Sequence, residues 1–299
     1  MIKISNKPPK GTADWFPEEF AVRNYIFSTW REVCQKFGYQ EYLTPLIEKA
    51  DVYRAKSGED LGGKELWTLR DQADREFAIR PEMTPSVTRM VTRIYNSTPK
   101  PIRLFSIANF MRNERPQKGR NREFWQLNFD VFGSESVNAD IEVLQMAIEI
   151  MLGFNPPKGS FKVYINNRKL IDAILEKQAK VSKEQRVEVV RILDKWEKLS
   201  EEDFAKRLNN VGLNESQIEK LLKFMQSQSM EELLVAMPEL EGEEGLEEIT
   251  CLMSNLSSMG YADWITFRPN VIRGFDYYDG MVFELFDTNS DNPRALFGG

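Results

Sequence analysis

Large apolar residues recur every three or four positions in several parts of the chain, as on the buried face of a helix. The clearest stripe covers residues 17–37, where Pro17 and two acids open the segment and Gly38 follows it. Proline suits the first turn of a helix and glycine the position just beyond its end, so this stripe predicts a helix. The same spacing predicts helices over 84–94 and over 138–153.

Short runs of alternating or β-branched and aromatic residues predict strands. These runs are residues 39–43, 65–69, 76–80, 161–165, 264–268 and 273–286. Residues 51–64 are polar and glycine-containing, so we expect a loop there. Residues 168–259 are rich in lysine and glutamate and have helical character throughout. They predict a separate, all-helical insertion whose charges lie on solvated helix faces.

The stretch from Arg103 to Gly133 consists of two apolar runs joined by a long charged loop, which predicts a β-hairpin. The loop carries five cations against one acid, Glu114, although the whole chain has a net charge of −6. The cations are Arg112, Arg115, Lys118, Arg120 and Arg122. The positive charge is therefore a local feature, in a position to meet an anionic ligand.

The second strand of this hairpin has two different faces, because successive side chains of a strand point to opposite sides. One face carries Phe124, Gln126, Asn128 and Asp130, and the other carries Trp125, Leu127, Phe129 and Val131. The apolar face suits burial against a core. The other presents an aromatic ring, amides and a carboxylate beside the arginines, which suits a small zwitterion next to a polyphosphate. A half-solvated edge of an antiparallel sheet would give the same pattern.

Length and composition limit the classes of protein that the chain can belong to. With 299 residues and 41% hydrophobic content it can bury a core in one large domain or two. Its pI near 5.2 confines any nucleic-acid contact to a local patch. No leader-like or membrane-spanning run is present, so we expect a cytoplasmic protein without a membrane partner. Cys34 and Cys251 are far apart and are expected to be buried thiols.

The chain contains no histidine. This excludes Ser-His-Asp and Cys-His nucleophilic catalysis, HExxH zinc sites and histidine general bases. The sequence also lacks a GxxxxGK[ST] loop and a GxGxxG turn after a strand, which removes the usual support for P-loop or Rossmann phosphate binding. The chemistry must therefore depend on arginine, carboxylates, tyrosine or a metal.

Three motifs in this order resemble the histidine–tRNA ligase family of class II aminoacyl-tRNA synthetases. They are RPEMTP at 80–85, FMRNERPQKGRNREFWQLNFDVFG at 110–133 and RGFDYYDGMVFE at 273–284. The last is similar to the family's histidine-specific strand RGLDYYTGxVFE and departs from it at Phe275 and Asp279. The helix over 17–37 that leads to Thr44-Pro45 resembles the family's first motif. The resemblance covers nearly the whole chain, and the insertion matches in position and character more than in residues.

The resemblance implies a site that activates histidine with ATP and then transfers it to tRNA. Arg112 and Arg273 would be catalytic and would hold the α-phosphate from opposite sides. The ATP-binding residues would be Arg112, Glu114, Arg120 and Phe124, which clamp the phosphates and hold the adenine. The histidine-binding residues would be Glu82, Thr84, Gln126, Asp130, Tyr277 and Tyr278. The substrate carboxylate is itself the nucleophile, so no histidine base is needed, and the only metal expected is Mg²⁺ carried by the nucleotide.

Plain structural roles compete with some of these assignments. Thr84 before Pro85 is also what a helix N-cap looks like, and Glu82 could be a solvated turn acid. Two adjacent tyrosines are more often half-buried strand residues than ligands. The pattern alone does not decide between these alternatives.

The resemblance also implies the fold and its division. We expect an α+β catalytic domain with a mostly antiparallel sheet flanked by helices. Its parts would be 1–167, an all-helical insertion at 168–259, and 260–299. The family's third motif, a glycine-rich strand and helix, and its anticodon-binding domain are expected after LFGG, so we expect this chain to be a fragment. A homodimer through the first motif is also implied.

One alternative from a different functional class remains. A histidine-sensing regulatory subunit of ATP phosphoribosyltransferase has a similar catalytic domain and lacks the anticodon-binding domain. Such a sensor needs Glu82, Asp130 and Tyr278. It has no use for the combination of Arg112, Glu114, Phe124 and Arg273. These residues are all present, which favours the ligase. A structural module that has kept only the fold is a third possibility.

Overall fold

The computed structural model describes residues 5–55, 63–117, 119–272, 279–289 and 294–299. The chain forms two compact units, Met1–Glu135 and Ser136–Gly299. The described part contains helices and mainly antiparallel strand pairs, as expected for an α+β protein. The proposed division into 1–167, 168–259 and 260–299 stays a prediction.

The first unit contains three helices and six strands within its described part. The helices are α1 (Pro17–Lys36), α2 (Ala50–Arg54) and α3 (Thr84–Thr92). The strands are β1 (Gln40–Glu41), β2 (Ile47–Lys49), β3 (Trp67–Arg70), β4 (Glu76–Ile79), β5 (Ile102–Met111) and β6 (Glu123–Phe132). Helix α1 begins at the predicted proline, and Gly38 follows it with a left-handed φ of 78°. Glycine is the residue that adopts this conformation without strain.

The predicted hairpin is the framework of the first unit. Strands β5 and β6 pair antiparallel over their full length, from Ile102 opposite Phe132 to Met111 opposite Glu123. Strand β1 joins the other side of β5 in parallel, giving the order β1-β5-β6. A register slip of one residue would move every side chain to the other face, and the apolar positions on both strands fix this register.

Both faces of the hairpin make core contacts, and on the predicted ligand face of β6 these contacts lie at its two ends. On one face, Trp125 lies 5.2 Å from Phe27 of α1 between ring centroids. On the other, Phe124 and Phe132 pack against a core made by β5 and α3. The members of that core are Met83, Val87, Val91, Ile102, Leu104, Ala108 and Phe110. The polar positions Gln126, Asn128 and Asp130 lie between these two ends and are half-buried.

The first part of the loop predicted over 51–64 is helical instead, and it lies beside a second small sheet with the order β2-β4-β3. Residues 56–62 of that predicted loop lie outside the described residues. Residues 50–54 form helix α2, and its Tyr53 is fully buried with Ala50, Leu66 and Ala78. The Tyr53 hydroxyl lies 2.8 Å from that of Ser86. The segment is helical because two buried residues anchor it, and a single helical turn is too short to show a periodic stripe.

The second unit contains seven α-helices and four strands in its described part. The helices are α4 (Val137–Leu152), α5 (Arg168–Ala173), α6 (Lys183–Leu193), α7 (Glu201–Asn210), α8 (Glu215–Gln226), α9 (Met230–Ala236) and α10 (Glu244–Ser258). The strands are β7 (Phe161–Asn167), β8 (Ile265–Phe267), β9 (Met281–Asp287) and β10 (Phe297–Gly298). They form one sheet in the order β10-β9-β7-β8. Residues 168–259 contain no strand, as predicted.

Helix α10 packs closely against the start of α5 at Gly245. A Cβ atom added to Gly245 would lie 2.9 Å from the Leu170 Cα and closer still to its amide nitrogen. Lys169 beside this contact bonds the carboxylates of Glu244 and Glu248 on α10. The absence of a side chain at position 245 is therefore what allows the two helices to meet.

The two cysteines differ in their environments. Cys34 is fully buried on α1, and burial together with the charge of Glu41 raises the pKa of its thiol to about 12. Cys251 is exposed, contrary to the prediction, because α10 turns Leu252 and Ile249 inward at this turn. In the described part of the chain, no helix is long and apolar enough to cross a membrane.

Candidate active site

The charged loop between β5 and β6 is organised around its one acid. The Glu114 carboxylate accepts a hydrogen bond from Arg120 at 3.1 Å and lies 3.8 Å from the Arg112 guanidinium. The Glu114 carbonyl oxygen accepts from Nε of Arg122 at 3.1 Å. Three of the loop's cations therefore converge on one residue, and the loop holds its positive charge in a small volume.

Arg112 is the most buried cation of the loop. Its Nε donates to the carbonyl oxygen of Pro81 at 3.1 Å, and its guanidinium carbon lies 5.0 Å above the centre of the Phe124 ring. Burial lowers the pKa of Arg112, and the charges of Glu114 and Glu82 act in the opposite direction. An arginine stays charged under these conditions, so its remaining N–H groups form a fixed donor fork for an anion.

Phe124 stands next to this arginine at the start of β6. Its ring is half-buried and stacks on Phe110 at 5.9 Å between centroids. The ring orientation is thus set by the core on one side and by Arg112 on the other. A planar ring held in this way can support a second planar group.

The residues predicted to receive an ammonium group lie just before helix α3. Glu82 is buried, with 7% of its surface exposed, so it is not a solvated turn acid. Thr84 is half-buried and is the first residue of α3, so the N-cap interpretation is wrong. Met83 occupies the cap position, because its carbonyl oxygen accepts the first helical hydrogen bond from Val87. The Thr84 hydroxyl makes no capping hydrogen bond.

Arg80 is a site-supporting residue that the sequence analysis did not single out. It is 3% exposed and donates to the carbonyl oxygens of Thr44 and Asn109, each at 2.8 Å. Its third contact is the Asn109 side chain at 3.1 Å. Arg80 thereby ties the end of the first motif, strand β4 and strand β5 together beneath the charged loop. A lone arginine after a strand gives no pattern that would have revealed this role.

The segment before α1 is attached to the same loop through Gly11. The Gly11 carbonyl oxygen accepts from the amides of Arg122 and Glu123 at 2.8 and 3.0 Å. Gly11 has a φ of 88°, and a Cβ there would lie 2.8 Å from the Cγ of Arg122. Both the backbone conformation and the close approach require glycine.

Four polar atoms on the Phe124 face of the sheet are sealed from solvent and have no hydrogen-bond partner in the described residues. They are the Tyr42 hydroxyl, Ser106 Oγ, Asn128 Oδ1 and Asp130 Oδ2. Gln126 is half-buried on the same face. Burial raises the pKa of Asp130 to about 7. The sequence singled out Gln126 and Asp130, but it gave no signal for Tyr42 or Ser106.

Several residues named in the sequence analysis lie outside the described residues. Those with a predicted role are Lys118, Arg273, Tyr277 and Tyr278, and the motif residue Phe275 lies outside the described residues as well. Their roles in binding and catalysis stay predictions. The structure does bring together Glu82, Arg112, Glu114, Arg120 and Phe124 within the first unit, through the contacts given above.

Comparisons with known proteins agree with the resemblance. The family described as Histidyl-tRNA synthetase matches residues 11–299. A histidine–tRNA ligase from Leptospira biflexa is 43% identical over 99% of this chain and 68% of its own length. One from Pyrococcus horikoshii is 35% identical over 97% of this chain and 67% of its own length. The chain therefore spans about two thirds of the length of these relatives.

Solved structures share the fold. A histidyl-tRNA synthetase from a Nostoc species superimposes with a TM-score of 0.81 at 23% identity, over 95% of this chain and 66% of that one. A Bacillus halodurans structure described as an ATP phosphoribosyltransferase regulatory subunit/histidyl-tRNA synthetase gives 0.84 at 22% identity, over 96% and 74%. The fold expectation is confirmed, and with the sequence matches it gives one conclusion: the chain belongs to the histidine–tRNA ligase family and has its class II catalytic fold.

Proposed function

We propose that this chain carries the site that activates histidine with ATP, forming histidyl-adenylate and pyrophosphate, before the histidyl group passes to tRNA. The observation that carries the proposal is the cluster of Arg112, Glu114, Arg120 and Phe124 on one hairpin. Arg112 is also coupled electrostatically to the buried acid Glu82. The arginines can bind the phosphates of a nucleotide, and the Glu114 carboxylate and the Phe124 ring can bind its base. The buried acid Glu82 can bind the ammonium group of an amino acid next to it.

The first step joins a carboxylate oxygen of histidine to the α-phosphorus of ATP while the bond to pyrophosphate breaks. Negative charge increases on the α-phosphoryl oxygens during this exchange. Arg112 would donate to those oxygens, and its tie to the Pro81 carbonyl would fix its direction beforehand. Arg120 would hold the outer phosphates, and Arg273 would approach the α-phosphate from the opposite side. The electron pair of the broken bond leaves with pyrophosphate, so no protein base is needed.

The substrate groups would be divided among the remaining predicted residues. Glu114 would accept from the adenine amino group and Phe124 would support the ring. Glu82, Thr84 and Gln126 would receive the α-ammonium of histidine. Asp130, Tyr277 and Tyr278 would meet the imidazole, and a wrong side chain would leave buried polar groups unpaired.

The residues fit a nucleotide that brings its own metal. Among the described residues, no three carboxylates or thiols are grouped closely enough to hold an ion. The groups facing the proposed phosphate position are arginines, which bind phosphate oxygens directly. Mg²⁺ would therefore be held mainly by the phosphates, as is usual for this ion. It would neutralise the leaving pyrophosphate.

Pyrophosphate exchange into ATP tests the proposal directly. We expect exchange that requires histidine and is roughly a hundredfold weaker with phenylalanine, because that ring cannot pair with the polar groups of the pocket. The measurement is the incorporation of labelled pyrophosphate into ATP with each amino acid. It should be made on this chain and on a longer version carrying the downstream family sequence.

The alternative functions predict different results. Histidine binding measured by calorimetry, without exchange in either version, would favour the histidine-sensing regulatory subunit of ATP phosphoribosyltransferase. Failure to bind both histidine and ATP would leave a module that has kept only the fold. Exchange in the longer version alone would show that the proposed chemistry needs the family's third motif.

A homodimer is part of the proposal, and an exposed apolar surface on the first unit supports it. Helix α1 and its neighbours expose large apolar side chains, among them Phe16, Val22, Tyr25 and Leu43 at 57–67% exposure. Apolar groups exposed together in this way are typical of protein interfaces. The same region contains the first-motif helix that the family resemblance assigned to the dimer.

Val22→Glu is expected to weaken this dimer by about tenfold or more, because an unpaired charge would be buried in the contact. The measurement is the sedimentation of the protein over a range of concentrations. Val235→Glu is the matched control, since Val235 on α9 is 84% exposed and lies in the other unit. A monomeric parent protein, or equal effects of both substitutions, would contradict a dimer through α1.

The acceptor end of tRNA would reach the same hairpin loop. The loop contains five of the chain's cations while the chain as a whole is acidic, which supports a local contact with phosphates. The helical insertion would supply a second contact. A cytoplasmic location follows from this role in protein synthesis.

A further inference from the structure

The sealed polar atoms beside Asp130 are not accounted for by the proposed catalytic groups. Buried polar atoms in proteins almost always have partners, so four without one on a single sheet face require an explanation. Two of them, on Tyr42 and Ser106, belong to hydroxyl groups that can donate. The other two, Asn128 Oδ1 and Asp130 Oδ2, are acceptors when Asp130 is ionised. Donors and acceptors are equal in number.

The strand register places these side chains together. Ser106 of β5 is paired with Asn128 of β6, and Leu104 is paired with Asp130. The Tyr42 amide donates to the carbonyl oxygen of Phe105 at 2.9 Å, which continues the β1–β5 pairing and brings Tyr42 beside Ser106. Tyr42, Ser106 and Asn128 therefore form one row across three neighbouring chain segments, and Asp130 lies two residues beyond Asn128 on the same face of β6.

The Tyr42 phenol interacts electrostatically with both Ser106 and Asp130. Burial and the charge of Asp130 raise the pKa of Tyr42, whereas the Ser106 hydroxyl and the Arg80 charge lower it. Burial alone raises the pKa of Asp130, so no described cation offsets its charge. The Arg80 guanidinium is directed at Thr44 and Asn109. Hydroxyl donors are thus the groups available to stabilise an Asp130 carboxylate.

We propose that Tyr42 is a positioning residue for histidine, and that its hydroxyl donates to Asp130 Oδ2 and leaves the other carboxylate oxygen directed at the imidazole. Ser106 donates in the same row to Asn128 Oδ1 and keeps Tyr42 from turning away. This inference rests on the proposed function, in which Asp130 meets the substrate ring. It assigns to Tyr42 a share in selecting histidine that acts through Asp130.

Tyr42→Phe tests the inference, because it removes the hydroxyl and keeps the ring. We expect the Kd of histidine, measured by calorimetry, to rise by about tenfold to a hundredfold, as when a hydrogen bond to a charged group is lost. The Kd of ATP should stay the same. The melting temperature should change little, because the substitution keeps the packed ring and removes a single hydroxyl group.

Two further variants separate positioning from a general effect on the fold. Ser106→Ala should weaken histidine binding in the same direction but less. Tyr39→Phe is the matched control: Tyr39 is a nearby buried tyrosine that packs edge-on against Phe129, on the other face of the sheet. Its loss of a hydroxyl should leave the Kd of histidine unchanged.

The outcomes distinguish this inference from the function on which it rests. A parent protein that does not bind histidine overturns the proposed function and the inference together. If the parent protein binds histidine and Tyr42→Phe binds it with the same Kd, the inference alone is overturned. Equal weakening of histidine and ATP binding, together with a lower melting temperature, shows a purely structural role and also overturns it.

Discussion

Arg112→Ala is expected to lower histidine-dependent ATP–pyrophosphate exchange by about a hundredfold to a thousandfold, the usual cost of removing one preorganised donor from a charge-stabilising site. The guanidinium is oriented before any substrate arrives, by Pro81 on one side and the Phe124 ring on the other. In the proposed reaction, its contribution would be greatest where charge increases on the α-phosphate. The loss should therefore appear in kcat more than in the KM of histidine.

Arg112→Lys separates charge from geometry. Lysine keeps the positive charge but cannot hold both the Pro81 carbonyl and a phosphate oxygen with a planar fork, so most of the loss should remain. Arg70→Ala is the control, because Arg70 is exposed and its guanidinium pairs with Asp74 on a neighbouring turn. Full activity of Arg112→Lys would show that a point charge suffices, and full activity of Arg112→Ala would exclude Arg112 from the chemistry.

Gly245→Ala is expected to lower the free energy of unfolding by about 3 kcal/mol or more, the upper range for overpacking a tight contact. The new methyl group would meet the backbone of Leu170, which cannot rotate aside as a side chain could. Helix α10 would have to move away from α5, and the bonds from Lys169 to Glu244 and Glu248 would lengthen. Thermal unfolding should show a melting temperature lower by roughly 6–12 °C.

Glu247→Ala provides the comparison for this variant, since it introduces the same residue on the exposed side of the same helix. Its unfolding should differ little from that of the parent protein. If Gly245→Ala had the same melting temperature as the parent protein, α10 would have to shift against α5 without a loss of stability. Alanine favours helix more than glycine does, so a stabilised variant would mean that helix propensity outweighs the contact.

The hairpin and the long helices could be predicted because their patterns are local and repeated. Helix α1 has a proline start, a long apolar stripe and a glycine stop, and each of these is visible in the sequence. Strands β5 and β6 are long and flank a loop with a distinctive charge. The candidate site followed from the same hairpin, since Arg112, Glu114 and Phe124 are close together in the sequence itself.

The features that were missed depend on partners far away in the chain. Helix α2 is held by Tyr53, whose neighbours Ala78 and Ser86 come from later segments. Arg80 links separate segments because it donates to the backbone carbonyl oxygens of Thr44 and Asn109. Every residue has a backbone carbonyl group, so residue types do not indicate such a contact. The Phe124 face was expected to be open to a ligand, but core contacts made by α3 cover its two ends.

The attachment of Gly11 to the charged loop has a practical consequence for anyone who shortens this protein. A version trimmed to begin at Pro17, where the first helix starts, would keep every helix and strand of the described first unit. It would nevertheless remove the carbonyl oxygen that receives the amides of Arg122 and Glu123. The two backbone amides at the base of the loop would then have to donate their hydrogen bonds to water. The working N-terminal boundary of the unit therefore lies before residue 11, although the described residues 5–16 contain no helix or strand.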